Sequence, residues 1–145
     1  MPSFIVEPLS HSQILAVFPL IREAMPGVGL KDWVRFARTA TGARRGVMVA
    51  RRLVRDLPCG LFCYRIQSDP VLGRILAAEH FVAIDLLDPG AVIAALVREL
   101  EALGQRFGCS AVRSHVHGAD AAGGLASAGH APSGSLLLKS LTSRA

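Results

Sequence analysis

A strand that runs straight into a long helix constrains the fold of this chain most. Residues 74–87 are rich in apolar side chains that fall on both faces near the end of the segment, the pattern of a strand in the middle of a sheet. Asp88 and Pro89 follow, an N-cap and a first-turn residue for a helix. Val92, Leu96, Leu100, Leu103 and Phe107 then recur every three or four residues, with Arg98, Glu99, Glu101 and Arg106 on the outer side. Gly108 suits the position just past the helix end, and residues 110–117 alternate as a strand. A strand, a helix and a second strand in this order form a parallel crossover, which commits the domain to a sheet with at least one helix packed on it.

The rest of the chain adds shorter elements. Phe4-Ile5-Val6 reads as a first strand. Ser10 and Gln13 have the spacing of a capping box ahead of Ile14, Leu15, Phe18, Ile21 and Met25, which are spaced as a helix. Pro19 lies within that run and should kink or split it. Leu30, Trp33, Val34, Ala37 and Ala40 mark a second amphipathic helix. Strands are expected over 47–50 and 60–66, separated by the turn Asp56-Leu57-Pro58. A weak helix is expected from Asp120 to Ala128, with Gly123 and Gly124 each costing about 1 kcal/mol. Ser135 to Leu141 reads as a last strand. The order is β-α-α-β-β-β-α-β-α-β: an α/β fold with a mixed, twisted sheet of about six to seven strands and helices on both faces, in one domain spanning 1–145.

The 145 residues are 51% hydrophobic with a mean hydropathy of +0.41, enough for a core with apolar surface left over, so self-association as a homodimer is expected. No run of about 20 apolar residues exists, so no membrane span is expected, and no leader sequence is evident at the N-terminus. The three cysteines, Cys59, Cys63 and Cys109, form no disulfide framework and suit a reducing, cytoplasmic setting. Cys59 and Cys63 would stand about 13 Å apart on one strand face, too far to bridge. The net charge of +5 owes much to Arg35, Arg38, Arg44, Arg45, Arg51, Arg52 and Arg55. Such a cluster can meet an anionic cofactor, an acidic partner or nucleic acid. It has no interleaved aromatics, so base stacking is not indicated and nucleic acid is not an expected partner.

The run from Ala83 to Cys109, the segment Leu125-Ala126-Ser127-Ala128-Gly129-His130 and the closing Ser135 to Leu141 resemble, in order and spacing, the second half of the GNAT superfamily of N-acetyltransferases. The resemblance implies transfer of an acyl group from acetyl-CoA or another acyl-CoA to an amine acceptor, without a metal. It implies that the backbone of Phe81, Val82, Ala83 and Ile84 holds the pantetheine arm, and that Gly90 and Ala91 at the helix N-terminus face the pyrophosphate. The family's phosphate loop, Arg/Gln-x-x-Gly-x-Gly/Ala, is shortened here to Asp88-Pro89-Gly90, so a basic residue such as Arg44, Arg45 or Arg51 would have to supply the missing contact. The family tyrosine falls at Leu125, and the chain's one tyrosine, Tyr64, is on another strand. Glu79 is the expected general base; its plain structural role would be an exposed strand carboxylate paired with an arginine. These departures also suit a second reading, a GNAT-like ligand-binding or protein-interaction module without catalysis.

Four histidines also bear on chemistry. By strand alternation, His80 should face away from Glu79 and take no part in its site. His115 and His117 share a strand face, a spacing that suits a metal if a third ligand is near. His130 follows a helix-ending glycine, where packing is its expected role.

Overall fold

In the computed structural model, residues 4–54, 56–84 and 88–142 are described. Strand β1 (Phe4–Pro8) is followed by helices α1 (Phe18–Ala24) and α2 (Leu30–Thr39), strands β2 (Arg45–Arg52), β3 (Leu57–Asp69) and β4 (Gly73–Ala83), helix α3 (Pro89–Arg106), strand β5 (Ala111–Ser114) and helix α4 (Ala119–Ser127). The five strands form one sheet in the order β1-β2-β3-β4-β5. Neighbours are antiparallel except β4 and β5, which are parallel, as the α3 crossover requires.

Each face of the sheet has its own core. Met48, Ala50, Phe62, Leu76 and Phe81 meet Val92, Leu96 and Leu100 of α3 and Leu125 of α4. Val47, Val49, Leu61, Cys63 and Val82 meet Ile21 of α1 and Trp33 and Ala37 of α2. The α/β class and the helices on both faces therefore follow the sequence. Pro19 does split the first helical run: a short 3-10 turn at His11–Gln13 precedes α1, and Pro19 sits in the first turn of α1. Asp88 caps α3, its Oδ1 accepting the Ala91 N–H at 3.0 Å.

One expectation is corrected. The described sheet has five strands, because Ser135 to Leu141 pairs with nothing described; Leu137 and Leu138 are 90% and 95% exposed. Strand propensity gives no strand without a paired edge and a buried face, and three consecutive leucines cannot all point into one core. Strand β4 ends at Ala83; residues 85–87, expected to extend it, lie outside the described residues, as do Arg55 and residues 143–145.

Helix α4 crosses α3 closely enough to account for one of its glycines. A Cβ on Gly124 would fall well inside van der Waals contact of Ile93 Cγ2. Gly124→Ala should therefore destabilise the fold by about 1–3 kcal/mol through overpacking, despite alanine's better helix propensity. Gly123→Ala, with open space around its Cβ position, should be neutral or stabilising. Urea unfolding of both variants checks the contrast.

Candidate functional site

The site is built on an irregularity in β4. Cys63 pairs with Glu79 and Leu61 with Val82, so His80 and Phe81 together stand opposite Phe62 alone. This is a β-bulge. His80 carries the positive φ, +56°, a left-handed conformation that histidine tolerates better than most non-glycine residues. The extra residue resets the alternation of the strand. Phe81 turns to the α3 face and stacks on Phe62 at 5.8 Å; Val82 returns to the α1/α2 face.

His80 consequently does not face away from Glu79. Both line one cavity of about 200 Å³ on the α2 side, together with Phe36 and Thr39 of α2 and Arg45 and Arg65 of the neighbouring strands. His80 Nε2 is 3.8 Å from Glu79 Oε2, and Arg65 Nη2 is 3.9 Å from Glu79 Oε1. The carboxylate is thus half-exposed beside an arginine, as its plain structural role anticipates, and also beside an imidazole. Burial holds the His80 pKa below its ordinary value; Glu79 opposes that shift, and His115 and His117 add to it. Cys63, under the same cavity, is pushed up to about 12 by burial and by the Glu79 charge, so its thiol is not a nucleophile. The Phe36 ring meets His80 edge-on at 5.8 Å.

A second, larger space opens where β4 and β5 part. Their pairing runs from Ile75–Ala111 to Ala78–Ser114, and the last bond is the His115 N–H donating to Ala78 O at 2.9 Å. Beyond it lies a cleft of about 540 Å³ with His80, Phe81, Val82 and Ala83 on one wall and His117 to Ala121 on the other. The open edge of β4 is a backbone surface that an extended ligand can join. Of the residues expected to contact a pantetheine arm, Phe81, Val82 and Ala83 line this cleft. Ile84 does not; its N–H donates to Cys59 O at 2.7 Å, on the β3 side.

The N-terminus of α3 opens on an adjoining space of about 310 Å³ lined by Pro89, Gly90, Ile93, Asp120, Gly123 and Gly124 among others. Gly90 reaches it. The Ala91 N–H is engaged by the Asp88 carboxylate, and Pro89 has no N–H to offer. Two carboxylates, Asp88 and Asp120, flank the region. Arg51 is occupied by Glu7 and Asp56, each at 2.6 Å, while Arg45 lies at the other cavity. Leu125 is buried in the core and supplies no proton donor. The His115 and His117 rings are 4.8 Å apart, but among the described residues no group of three or more His, Cys, Asp or Glu is arranged to hold a metal. His130 Nε2 lies 3.7 Å from Glu101 Oε1. No described helix is long and apolar enough to cross a membrane.

Sequence reasoning missed His80, because nothing in an apolar strand marks where an extra residue will be inserted.

This arrangement of sheet, splayed strands and helices is the GNAT acetyltransferase fold. Glucosamine-6-phosphate N-acetyltransferase from Arabidopsis thaliana superposes with a TM-score of 0.76 at 14% identity, over 96% of this chain and 99% of that one. An aminoglycoside N-acetyltransferase in complex with CoA gives 0.77 at 12% identity, over 94% and 93%. A transcriptional regulator from Bacillus halodurans gives 0.81 at 10% identity, over 95% and 99%. No protein-family model matches the sequence, and no curated protein matches it.

Proposed function

We propose that this protein is an acyl-CoA-dependent N-acyltransferase acting on a primary amine. One observation carries the reading: His80, with Glu79 at 3.8 Å, borders both the open-edged cleft and the smaller cavity on the α2 side. A donor in the cleft and an acceptor in the cavity would meet at that residue. Structural neighbours include enzymes named for acetylating amino sugars and aminoglycosides, which raises the prior for the chemistry without assigning it.

In this reading the pantetheine arm lies along Phe81–Ala83 and brings its thioester to the bulge. Neutral His80 takes a proton from the acceptor ammonium, and Glu79 stabilises the imidazolium that results. The freed amine attacks the thioester carbonyl. The new C–N bond forms, the C–S bond breaks, the second proton shed by the attacking nitrogen passes through water at the cleft mouth to the departing CoA thiolate, and His80 returns its own proton to solvent.

The residues present fit the pantetheine arm better than the pyrophosphate. At the start of α3 one early donor is absent and another is engaged, and the capping carboxylate repels phosphate. Acetyl-CoA is therefore expected to bind in the weaker part of the range from about 1 μM to 1 mM usual for enzyme substrates. Asp88→Asn keeps the cap and removes the charge, and should tighten binding by about two- to fivefold, the equivalent of about 0.3–1 kcal/mol at a helix terminus. Isothermal titration with acetyl-CoA and CoA tests both points. No heat at millimolar ligand, with the protein folded, would overturn the acyltransferase reading in favour of a ligand-binding or interaction module.

A further inference from the structure

We infer that the acceptor, on the acyltransferase reading above, is a small amine that also carries a carboxylate or phosphate, with Arg45 and Arg65 holding the anion. Four residues form a row across the sheet: Arg45 of β2 pairs with Arg65 of β3, Arg65 with Ala77 of β4, and Ala77 with Arg113 of β5. Directly paired residues share a sheet face, so three guanidinium groups project on the side of the α2 cavity, with a methyl group between them. Like charges directly opposite one another destabilise a strand pair. Arg113 is neutralised by Asp69 at 2.7 Å. Arg65 has Glu79 at 3.9 Å, beyond hydrogen-bonding distance. Among the described residues no carboxylate pairs with Arg45. Among the described residues Arg45 thus has no counter-anion and Arg65 has Glu79 only at 3.9 Å, and both side chains line the cavity that Glu79 and His80 close.

The cavity is therefore dipolar. Arg45 and Arg65 spring from the Ala77 row and the carboxylate and imidazole from two residues further along β4, about 7 Å in backbone rise, with the Arg65 guanidinium reaching to 3.9 Å from Glu79 Oε1 and Arg45 forming the cationic end. Guanidinium groups suit carboxylate or phosphate through paired N–H donors, and Glu79 suits an ammonium. At about 200 Å³ the space lies below the range of about 300–1,000 Å³ typical of drug-sized ligands, which favours a molecule of amino-acid size over a long chain. Polycationic amines would meet Arg45 and Arg65 as like charges, so the same pair selects against them.

The test measures CoA release from acetyl-CoA with the L-amino acids, 2-aminoethyl phosphate and glucosamine 6-phosphate. Amino-acid methyl esters, ethanolamine, glucosamine and spermidine serve as counterparts lacking the anion. At least one anionic amine should be used tenfold or more better than its counterpart, the carboxylate and phosphate arms identifying which anion. Arg45→Gln and Arg65→Gln should each raise KM for that amine about tenfold, and at least several-fold more than they raise KM for the counterpart. Equal or better use of the counterparts, or variants that fail to discriminate, would overturn the inference while acyl transfer stands. If no amine is acylated the acyltransferase reading fails, and thermal shift with the same compounds then decides. A stabilisation by anionic amines that both arginine variants lose upholds the anion site; no stabilisation overturns it.

Discussion

His80→Asn should lower kcat/KM for acyl transfer by about 10²- to 10⁴-fold, the usual contribution of a general base, with acyl-CoA affinity little changed. Asparagine is the informative replacement because it too tolerates the left-handed backbone at this position, so the bulge survives and the imidazole alone is lost. The pH profile separates a proton-transfer role from a structural one. The working form is neutral imidazole, so activity should fall as pH drops through the His80 pKa. Burial places that value below the ordinary 6.5, and the acid limb should lie there. The charged groups around it are Glu79 on its own strand, His115 and His117 beyond β5, Asp32 on α2, Asp120 on α4, and Arg45 and Arg65 across the cavity. Because Glu79 raises the His80 pKa against burial, Glu79→Gln should move the limb further down as well as slow the reaction. A wild-type rate that is flat below pH 6.5, or a limb that Glu79→Gln leaves in place, would remove His80 from the proton path.

Trp33→Ala should cost about 3–5 kcal/mol of stability, the range for truncating a buried aromatic. Trp33 is 1% exposed, and its indole N–H donates to Ile14 O at 2.7 Å. The substitution leaves a cavity between α2 and the sheet and strands a buried carbonyl. At about 2–4 °C per kcal/mol for a chain of this size, the melting temperature should drop by about 6–20 °C. The consequence extends to the site. Trp33 packs near Phe36 at 6.1 Å, and Phe36 braces His80, so residual folded protein should show a raised KM for the acceptor. Trp33→Phe should retain most of the stability. A melting temperature that falls by less than 2 °C on truncation to alanine would show that α2 is not anchored this way.

Much of the frame could be read from the chain because it rests on local signals. Asp88 and Pro89 announce the start of α3, Gly108 its end, and the spacing of Val92 to Phe107 its buried face. A pantetheine role for the Phe81–Ile84 backbone rested on the family resemblance alone, since nothing in those side chains announces it. The chemistry was less legible. The bulge depends on register between β3 and β4, and the His80-Phe81 pair carries no glycine or turn residue to betray it. Arg45, Arg65 and Arg113 are distant in sequence and become one row only through strand pairing. The arginine-rich stretch therefore drew attention to Arg44 and Arg51 as much as to Arg45. Ser135 to Leu141 misled in the other direction: its composition suits a strand, but a strand also needs a neighbour.

If the acyltransferase reading holds, the left-handed turn at His80 sets two selective pressures against each other. Glycine there would relieve the backbone at little steric cost, so a library screened for heat tolerance alone would drift towards His80→Gly and lose turnover on the way. Homologues that have abandoned transfer should be recognisable by a glycine at this point in an otherwise unchanged sheet. Those still under selection for it should keep the costlier side chain.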